Sequence, residues 1–362
     1  MKIERSLKGT KPLFYNSFGN LLLSKGNQIF EEKEGRLTLV CKLPVRLSSK
    51  VLAKSKLLCR LLRYGVMTAT EYNGAYYFAF ERSIYRFNIN TSELTCDFTF
   101  SNSRGPLSFT VVENLEGFHD GLYFGEYISN RQKGPVKIYH RNEVWSVVYE
   151  FSTGELNHIH GLVPDSSSKC LWVLGGDFGD SASIYRVRDR FESVETIVSG
   201  SQKYRACVAF PLDGGLLYAT DTQQEPNSIR VLKLLNGAWV SEKLENINGS
   251  CIYGQELPDY YVFSTSTEPT EKVTSRLESL FDNKPAPAIK KNQSDVIVMD
   301  KVTSEIKLLY SDKKDIYPYR LFQFGTVMFP KGIPRHNEIA AYFVGSKKHD
   351  LTTVFFYLGN GK

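Results

Sequence analysis

Two histidines separated by a single residue are the feature of this chain that most directly suggests chemistry. They stand as His158 and His160 in the segment Asn157-His-Ile-His-Gly161. In a β-strand, residues at positions i and i+2 lie on one face, so both imidazoles would face the same way. Imidazole exchanges protons near neutral pH and is a common metal ligand. The pair therefore predicts acid–base catalysis, or a divalent metal ion held together with Asp177.

Carboxylates follow several apolar runs of the sequence. Glu126, Asp177 and Asp221 each come directly after a run of five or six largely apolar residues, and Glu268 follows a further strand-like run. Carboxylates in such places often only form turns by accepting backbone N–H groups. Two of them on either side of a glycosidic bond can instead act as the acid and as the base or nucleophile of hydrolysis.

Two arginines follow a tyrosine shortly after the outermost predicted strand of a repeat. These are Tyr204-Arg205 and Tyr319-Arg320. A buried guanidinium must meet carboxylates or a ligand, and it binds a carboxylate in a bidentate manner. We therefore expect Arg205 and Arg320 to bind a carboxylate of an acidic sugar. The predicted substrate-binding residues as a whole are Arg205, Arg320, Tyr127, Tyr204, Tyr319, Gln202 and Glu268.

An internal repeat indicates which elements position these residues. Its signature is a short strand with a central isoleucine or valine, often followed by an aromatic residue. Successive copies are separated by 45 to 68 residues. A basal period near 45 residues is typical of a four-stranded propeller blade, so the sequence predicts an all-β, seven-bladed β-propeller. The seven copies centre on Ile29, Ile84, Ile138, Ile184, Ile229, Ile297 and Val354.

The order of strands within a blade follows from the runs that flank each copy. A nearly continuous apolar run precedes the copy, as expected for a strand buried on both faces, and an outer strand follows it. Each blade then has an inner strand a, then b, the repeated strand c, and an outer strand d. The last blade lacks strand d, so we expect Lys2–Leu7 to pair beside Thr352–Leu358 and close the ring. This gives one domain over residues 1–362, with six or eight blades as alternatives.

Two insertions lengthen the repeat. Residues 45–63 contain Leu52, Leu57, Leu58, Leu61 and Leu62 at helical spacing, which predicts a short amphipathic helix. Residues 269–293 are rich in proline, lysine and asparagine. Such a composition buries little apolar surface, so we expect an exposed, mobile segment that could cover the mouth of the channel.

The blade order makes a geometric prediction about the candidate residues. The b–c turns and the d–a connections of a propeller lie at the same end of its central channel, although their residues are far apart in the sequence. We therefore expect one shared pocket there. Its predicted members are Glu126, His158, His160, Asp177, Arg205 and Asp221.

Composition excludes several other classes of protein. The net charge of +6 and pI near 8.8 come without an arginine-rich run, so we expect no nucleic-acid partner. There is no stretch of eighteen apolar residues, hence no predicted membrane-spanning helix. The N-terminal residues lack the apolar region of a secretory signal, which favours a cytoplasmic location. The six cysteines are spread singly, as expected for reduced thiols.

Several short motifs resemble those of the sialidase-like BNR-repeat glycosyl hydrolase propellers associated with bacterial polysaccharide genes. The motifs are Tyr123-Phe-Gly-Glu-Tyr127, His158-Ile-His-Gly161, Gly175-Gly-Asp177, Gly200-Ser-Gln-Lys-Tyr-Arg205 and Ala219-Thr-Asp221. The Asp-box of sialidases, Ser-x-Asp-x-Gly-x-Thr-Trp, is absent from every blade. The resemblance therefore implies the architecture, and the chemistry of sialidases does not follow from it.

Two classes of function remain open at this point. The first is a carbohydrate-active enzyme that cleaves an acidic bacterial polysaccharide or oligosaccharide. Hydrolysis would use two of the carboxylates, whereas a lyase would use a histidine with a tyrosine to remove the proton next to the sugar carboxylate. The histidine pair and the missing Asp-box favour the lyase over the hydrolase. The second class is a non-catalytic propeller that binds a glycan or a protein.

Overall fold

The protein is an all-β structure of seven four-stranded antiparallel sheets, and this arrangement is a seven-bladed β-propeller. The computed structural model describes residues 3–45, 55–101, 105–269 and 280–359. In six of these sheets the four strands are consecutive in the chain, and in the seventh β1 pairs beside the last strand of the chain. The chain separates into two compact units. None of the helices within the described residues is long and apolar enough to span a lipid bilayer.

The first unit covers residues 1–66, 223–226 and 247–362 and contains three blades. The strands of its first blade are β2–β5, and β1 belongs to the last blade of the chain. In chain order the elements are β1 (Arg5–Lys8), β2 (Lys11–Tyr15), β3 (Leu21–Lys25), β4 (Gln28–Lys33), β5 (Arg36–Lys42) and the helix α1 (Lys56–Leu62).

The second unit covers residues 67–222 and 227–246 and contains four blades. They are β6–β9 (Val66–Tyr72, Ala75–Phe80, Ser83–Asn88, Leu94–Thr99), β10–β13 (Thr110–Val112, Gly121–Gly125, Val136–Arg141, Trp145–Phe151), β14–β17 (His158–Asp165, Cys170–Gly176, Ile184–Arg188, Ser193–Val198) and β18–β21 (Ala206–Leu212, Gly215–Thr220, Ser228–Leu235, Ala238–Asn246). Three short 3₁₀ helices lie at Gly179–Ser181, Asp189–Phe191 and Gln202–Tyr204.

The chain then returns to the first unit for the last two blades. One blade is β22–β25 (Gly254–Glu256, Tyr260–Ser264, Gln293–Asp300, Ile306–Lys313). The other combines β26–β28 (Thr326–Met328, Glu338–Val344, Thr352–Tyr357) with β1, and the short helix α2 (Tyr319–Phe322) lies between the two blades in the chain.

Apolar side chains between neighbouring sheets form the core. In the second unit, one buried cluster joins β10–β13 to β14–β17 through residues such as Phe151, Ile159 and Val173. The next cluster joins β14–β17 to β18–β21 and is centred on Trp172 and Tyr218. Burying both faces of each sheet explains why the b strands are apolar along nearly their whole length.

The predicted repeat is confirmed. Each of the seven predicted c strands lies in a third strand of a sheet, namely β4, β8, β12, β16, β20, β24 and β28. The predicted closure by the N-terminal strand is also confirmed, because β1 pairs antiparallel with β28, with Arg5 opposite Phe355 and Lys8 opposite Thr352.

The two insertions differ from their predictions in detail. The first forms the helix α1, but Leu57, Leu61 and Leu62 are largely exposed and Arg60 is the buried residue. Arg60 is drawn inward because its guanidinium bonds to the carboxylates of Asp315 and Asp350. Leu52 lies outside the described residues.

The second insertion is less exposed than its composition suggested. Ala286, Ala288 and Ile289 are buried, with at most 7% of each residue exposed. The backbone N–H of Ala286 donates to the carbonyl of Glu268. Residues 270–279 lie outside the described part of the chain, so the proposed lid stays a prediction.

Candidate functional site

The two histidines open the inner strand of the third blade of the second unit. His158 and His160 are the first and third residues of β14, and Asp177 directly follows the neighbouring strand β15. His158 lies opposite Gly176 in the register of these two strands. Both imidazoles are buried, with 7% of His158 and 3% of His160 exposed.

A β-bulge helps the histidines to converge. The register of β14 and β15 runs from Ile159 opposite Gly175 to Gly161 opposite Leu174, which leaves His160 as the extra residue. Bulges bend a strand locally and re-aim the side chain of the extra residue. The Nε2 atoms of the two histidines lie 3.0 Å apart, and each lies 3.2 Å from Oδ1 of Asp177.

The other nitrogen of each imidazole faces a backbone carbonyl. Nδ1 of His158 lies 3.2 Å from the oxygen of Ile128, and Nδ1 of His160 lies 3.0 Å from the oxygen of Ala206. A carbonyl oxygen only accepts hydrogen bonds, so each Nδ1 must carry the proton. In a neutral imidazole, Nε2 then presents a lone pair towards Asp177.

A buried arginine joins this group to a second carboxylate. The Nη2 atom of Arg205 lies 3.0 Å from Oδ1 of Asp177 and 3.4 Å from Oδ2 of Asp221. Asp221 also accepts a hydrogen bond of 3.3 Å from the thiol of Cys207. Two carboxyl groups of this cluster therefore share a single guanidinium.

Two groups in the cluster have shifted pKa values. Burial alone would raise the pKa of Asp177, but hydrogen bonds that His158 and His160 can donate only in their imidazolium forms, together with the charge of Arg205, hold it well below the usual range. Burial, reinforced by the charge of Asp221, raises the pKa of the Cys207 thiol well above its ordinary value. Asp177 is therefore a carboxylate near neutral pH, and Cys207 is a thiol.

Two glycines make room for the strands and rings to meet. A Cβ atom on Gly176 would lie 2.3 Å from the ring of His160. A Cβ atom on Gly125, at the end of β11, would lie 2.4 Å from Cγ2 of Ile159. Neither glycine has a positive φ. Both positions need glycine because a neighbouring side chain lies too close for a Cβ atom.

Two partly exposed aromatic rings border the buried cluster. The ring of Tyr127, which is 39% exposed, is centred 4.5 Å from that of His158 and 6.2 Å from that of His160. The ring of Phe178, which is 38% exposed, lies 5.1 Å from the guanidinium carbon of Arg205. Apolar ring faces next to buried charged groups are a common lining of small-ligand sites.

The structure brings together five of the six residues predicted to share a pocket: His158, His160, Asp177, Arg205 and Asp221. Gln202 also belongs here, because its side-chain N–H donates to the backbone oxygen of Asp177 at 2.9 Å. Tyr127 borders the same group. Their roles in function stay predictions.

Glu126 does not join this cluster through its side chain. Its carboxylate accepts hydrogen bonds from the backbone N–H of Lys137 at 2.9 Å and from the hydroxyl of Tyr139 at 3.3 Å. Only its backbone reaches β14, where its carbonyl accepts from Ile159. We conclude that Glu126 stabilises its own b–c loop. Tyr204 also turns away, since its ring packs against the apolar cluster around Trp172.

The remaining predicted residues belong to the first unit. Glu268 is buried, and Tyr319 is buried with its hydroxyl bonded to the side chain of Asn292 at 2.8 Å. Arg320 is exposed on α2, so the expectation that both Tyr-Arg pairs bury their arginine is wrong for this copy. Arg60 and Lys314 are the buried basic side chains that the structure shows in the first unit instead.

Two members of the site were missed in the sequence. Cys207 was treated as an ordinary buried thiol, and Phe178 was not singled out. Cys207 falls two residues after Arg205 and is the extra residue of a bulge in β18, as His160 is in β14. A repeat alignment of the inner strands would have shown this equivalence.

Comparisons with known structures identify the class of the fold. The AfRom2 CNH domain matches with a TM-score of 0.56 and 9% identity, over 100% of this chain and 99% of that chain. A chain of a mitotic checkpoint complex matches with a TM-score of 0.53 and 8% identity, over 99% and 92%. The extracellular domain of a putative one-component system from B. thetaiotaomicron matches with a TM-score of 0.54 and 10% identity, over 98% and 41%.

Identities this low show the fold alone. No protein-family model matches the chain, and no curated protein matches its sequence. The chain is thus a β-propeller, and the resemblance to the sialidase-like group is supported for this fold only.

Proposed function

We propose that this propeller binds an acidic oligosaccharide at the cluster of His158, His160, Asp177, Arg205 and Asp221, and cleaves it by β-elimination. The observation that carries the proposal is the pair of partly exposed rings that border this buried charged cluster, Tyr127 beside His158 and Phe178 beside Arg205. Aromatic rings offer an apolar face to the C–H groups of a sugar, while the polar groups below fix its orientation.

Elimination is better supported than hydrolysis by the states of the carboxylates. A glycosidase needs one carboxylic acid that stays protonated to donate to the leaving group. Asp177 has a pKa well below the usual range, Asp221 is paired with Arg205, and Glu126 is bonded within its own loop. None of these three carboxyl groups is therefore suited to be the acid that hydrolysis requires, which favours elimination.

Tyr127 is the residue best placed to touch a substrate. Its ring is the exposed neighbour of His158, whereas the histidines themselves are nearly covered. A tyrosine beside a histidine can exchange the proton that is removed from the sugar. Binding an acidic sugar here also calls for more positive charge than Arg205 supplies, because two carboxylates already neutralise that guanidinium.

The test is incubation with a panel of acidic bacterial polysaccharides, followed by the ultraviolet absorbance of unsaturated uronates and by reducing-end formation. We expect absorbance with at least one substrate, loss of turnover in Tyr127→Phe, and loss of binding in Tyr127→Ala. Phe18→Ala, an exposed ring in the β2–β3 turn of the first unit, is the matched control. Reducing ends without absorbance would indicate a hydrolase. Binding without cleavage would indicate a lectin-like propeller, and no binding at all would refute the proposal.

A further inference from the structure

We propose that His158, His160 and Asp177 form a binding site for one divalent transition-metal ion, with Zn²⁺ as the best match. The inference rests on the geometry of these three side chains and does not depend on the proposed function. The three atoms concerned form a small triangle: the Nε2 atoms of the two histidines lie 3.0 Å apart, and each lies 3.2 Å from Oδ1 of Asp177.

The protons on the imidazoles are the first argument. Each Nδ1 faces a backbone carbonyl, that of Ile128 or that of Ala206, and must donate to it. When both rings are neutral, their Nε2 atoms are acceptors, and so is the carboxylate oxygen. Three acceptors this close repel one another unless a cation lies among them. Backbone carbonyls that fix the outer nitrogen are also the usual support of metal-binding histidines.

The size of the triangle is the second argument. With metal–nitrogen bonds of about 2.0–2.1 Å and ligand angles of about 90–110°, two ligand atoms lie about 2.8–3.4 Å apart. All three measured separations fall within this interval. Three protein ligands leave at least one coordination position open, as in catalytic rather than structural zinc sites.

The surroundings are compatible with a bound ion. Oδ1 of Asp177 accepts from Arg205, and a carboxylate oxygen has a second lone pair for a metal. The side chain of Gln202 donates to the Asp177 backbone oxygen and holds this turn in place. Among the described residues, Oδ1 of Asp221 and Oε1 of Gln202 are buried without a hydrogen-bond partner.

Ligand type decides which metal fits. Two imidazoles and one carboxylate suit zinc and other first-row transition metals, whereas magnesium and calcium prefer oxygen ligands. A divalent ion would also change the charge of the cluster from a net −1 to a net +1, counting Arg205, Asp177 and Asp221 as ionised. The added positive charge would help the cluster to bind an acidic sugar, and this part of the inference rests on the proposed function.

The competing explanation is a proton in place of the metal. One histidine would then be an imidazolium that donates from Nε2 to Asp177. The two explanations differ in a measurable way, because only the first predicts a stoichiometric ion that survives dialysis and selects zinc over magnesium.

The experiment is calorimetric titration of the full chain, stripped with EDTA and dialysed, with Zn²⁺, Mn²⁺ and Mg²⁺ separately. We expect one equivalent of Zn²⁺ per chain, weaker binding of Mn²⁺ and no binding of Mg²⁺. His160→Gln and Asp177→Asn should each weaken Zn²⁺ binding by more than the roughly 100-fold typical of losing an outer-sphere partner. His336→Gln, a change at an exposed histidine, is the control and should leave the affinity unaltered.

Circular dichroism and the melting temperature, both measured without metal, show whether each variant is folded. If His160→Gln fails to fold, Asp177→Asn decides the question. The proposal is overturned if the folded wild type binds neither Zn²⁺ nor Mn²⁺. It is equally overturned if the folded ligand variants bind Zn²⁺ as tightly as the wild type does.

Glycan binding in the presence of EDTA separates this inference from the proposed function. Zn²⁺ binding without any glycan binding would support the metal site and refute the proposed function. Glycan binding that is unchanged by EDTA, in a protein that binds no metal, would refute the metal site and support glycan binding at this cluster.

Discussion

Arg205 is a buried cation whose partners come from its own chain. Its guanidinium meets Asp177 at 3.0 Å and Asp221 at 3.4 Å, and the residue is 6% exposed. Removing one member of a buried charge pair costs about 3–5 kcal/mol of folding stability, because the remaining charge is left uncompensated. An Arg205→Ala variant would therefore lose structure together with any ligand. This is why Tyr127, which is exposed, is the better residue for testing function.

At the opposite end of β14, Asp165 provides a residue-scale prediction about pH. Its carboxylate accepts hydrogen bonds from the indole of Trp172 at 3.0 Å, the hydroxyl of Ser167 at 2.7 Å and the backbone N–H of Ser168 at 3.0 Å. Burial would raise the pKa of Asp165, but these hydrogen bonds lower it below the ordinary value. The charged form therefore stabilises the fold above the ordinary pKa of about 4, and this contribution is lost as the pH falls through the lower folded-state pKa.

We expect Asp165→Asn to be less stable than the wild type at pH 6, by about 1–3 kcal/mol, because hydrogen bonds to the charged group are weakened. The difference should shrink as the pH is lowered from 6 to 3, since the wild type alone loses the stabilising charge. Urea unfolding at several pH values measures both quantities. A difference that stays constant over this range would contradict the assigned pKa shift.

At the scale of the element, the bulge in β14 and the close approach of β15 place His160. Gly176 is essential to this approach, because a methyl group there would lie 2.3 Å from the imidazole. Gly161, the neighbour of His160, is different: a Cβ atom there would meet nothing closer than 3.6 Å, and its φ is not positive.

We therefore expect Gly176→Ala to displace the His160 ring and to weaken Zn²⁺ binding by at least about tenfold, the lower end of the effect of disturbing a ligand's support. Gly161→Ala, in β14 next to His160 itself, should leave the affinity and the melting temperature nearly unchanged. Calorimetric titration of both variants measures this. Equal effects of the two substitutions would show that β15 does not position His160.

The strands could be predicted from the sequence better than the directions of individual side chains. Each c strand has a central isoleucine or valine, and the b strands are apolar on both faces, as burial between neighbouring sheets requires. The sequence pattern therefore identifies both kinds of strand. Glu126 was misjudged because its direction depends on the loop to β12, where Lys137 and Tyr139 bind its carboxylate. The leucines of α1 were misjudged because a buried ion pair of Arg60 outweighs the apolar face.

The candidate site could be predicted at the scale of the whole molecule because the propeller topology brings distant segments together. His158 and Asp221 are more than sixty positions apart and belong to different blades, yet the strand order predicts that both lie at the same end of the central channel. Details such as the bulge at His160 and the tautomers of the imidazoles could not be predicted, since they depend on backbone carbonyls from Ile128 and Ala206.

Closure of the propeller by the N-terminal strand is a further property of the whole molecule. Strand β1 covers the outer edge of β28, and the guanidinium of Arg5 lies 3.8 Å from the ring centre of Phe355 while it bonds to Glu32 at 2.9 Å. Leu7 packs against a buried cluster that includes Leu21 and Phe355. Without β1, the backbone N–H and C=O groups along β28 would be unpaired, and such an edge pairs readily with another chain.

We expect deletion of the first eight residues to lower the melting temperature and to cause concentration-dependent self-association, because the exposed edge of β28 remains available for pairing. Glu4→Ala is the matched control, since this side chain is exposed and its removal leaves β1 in place. Light scattering and thermal unfolding at several protein concentrations measure both effects. A truncated chain that stays monomeric and melts at the temperature of the wild type would show that β1 is dispensable. In that case the last blade would be stable with three strands.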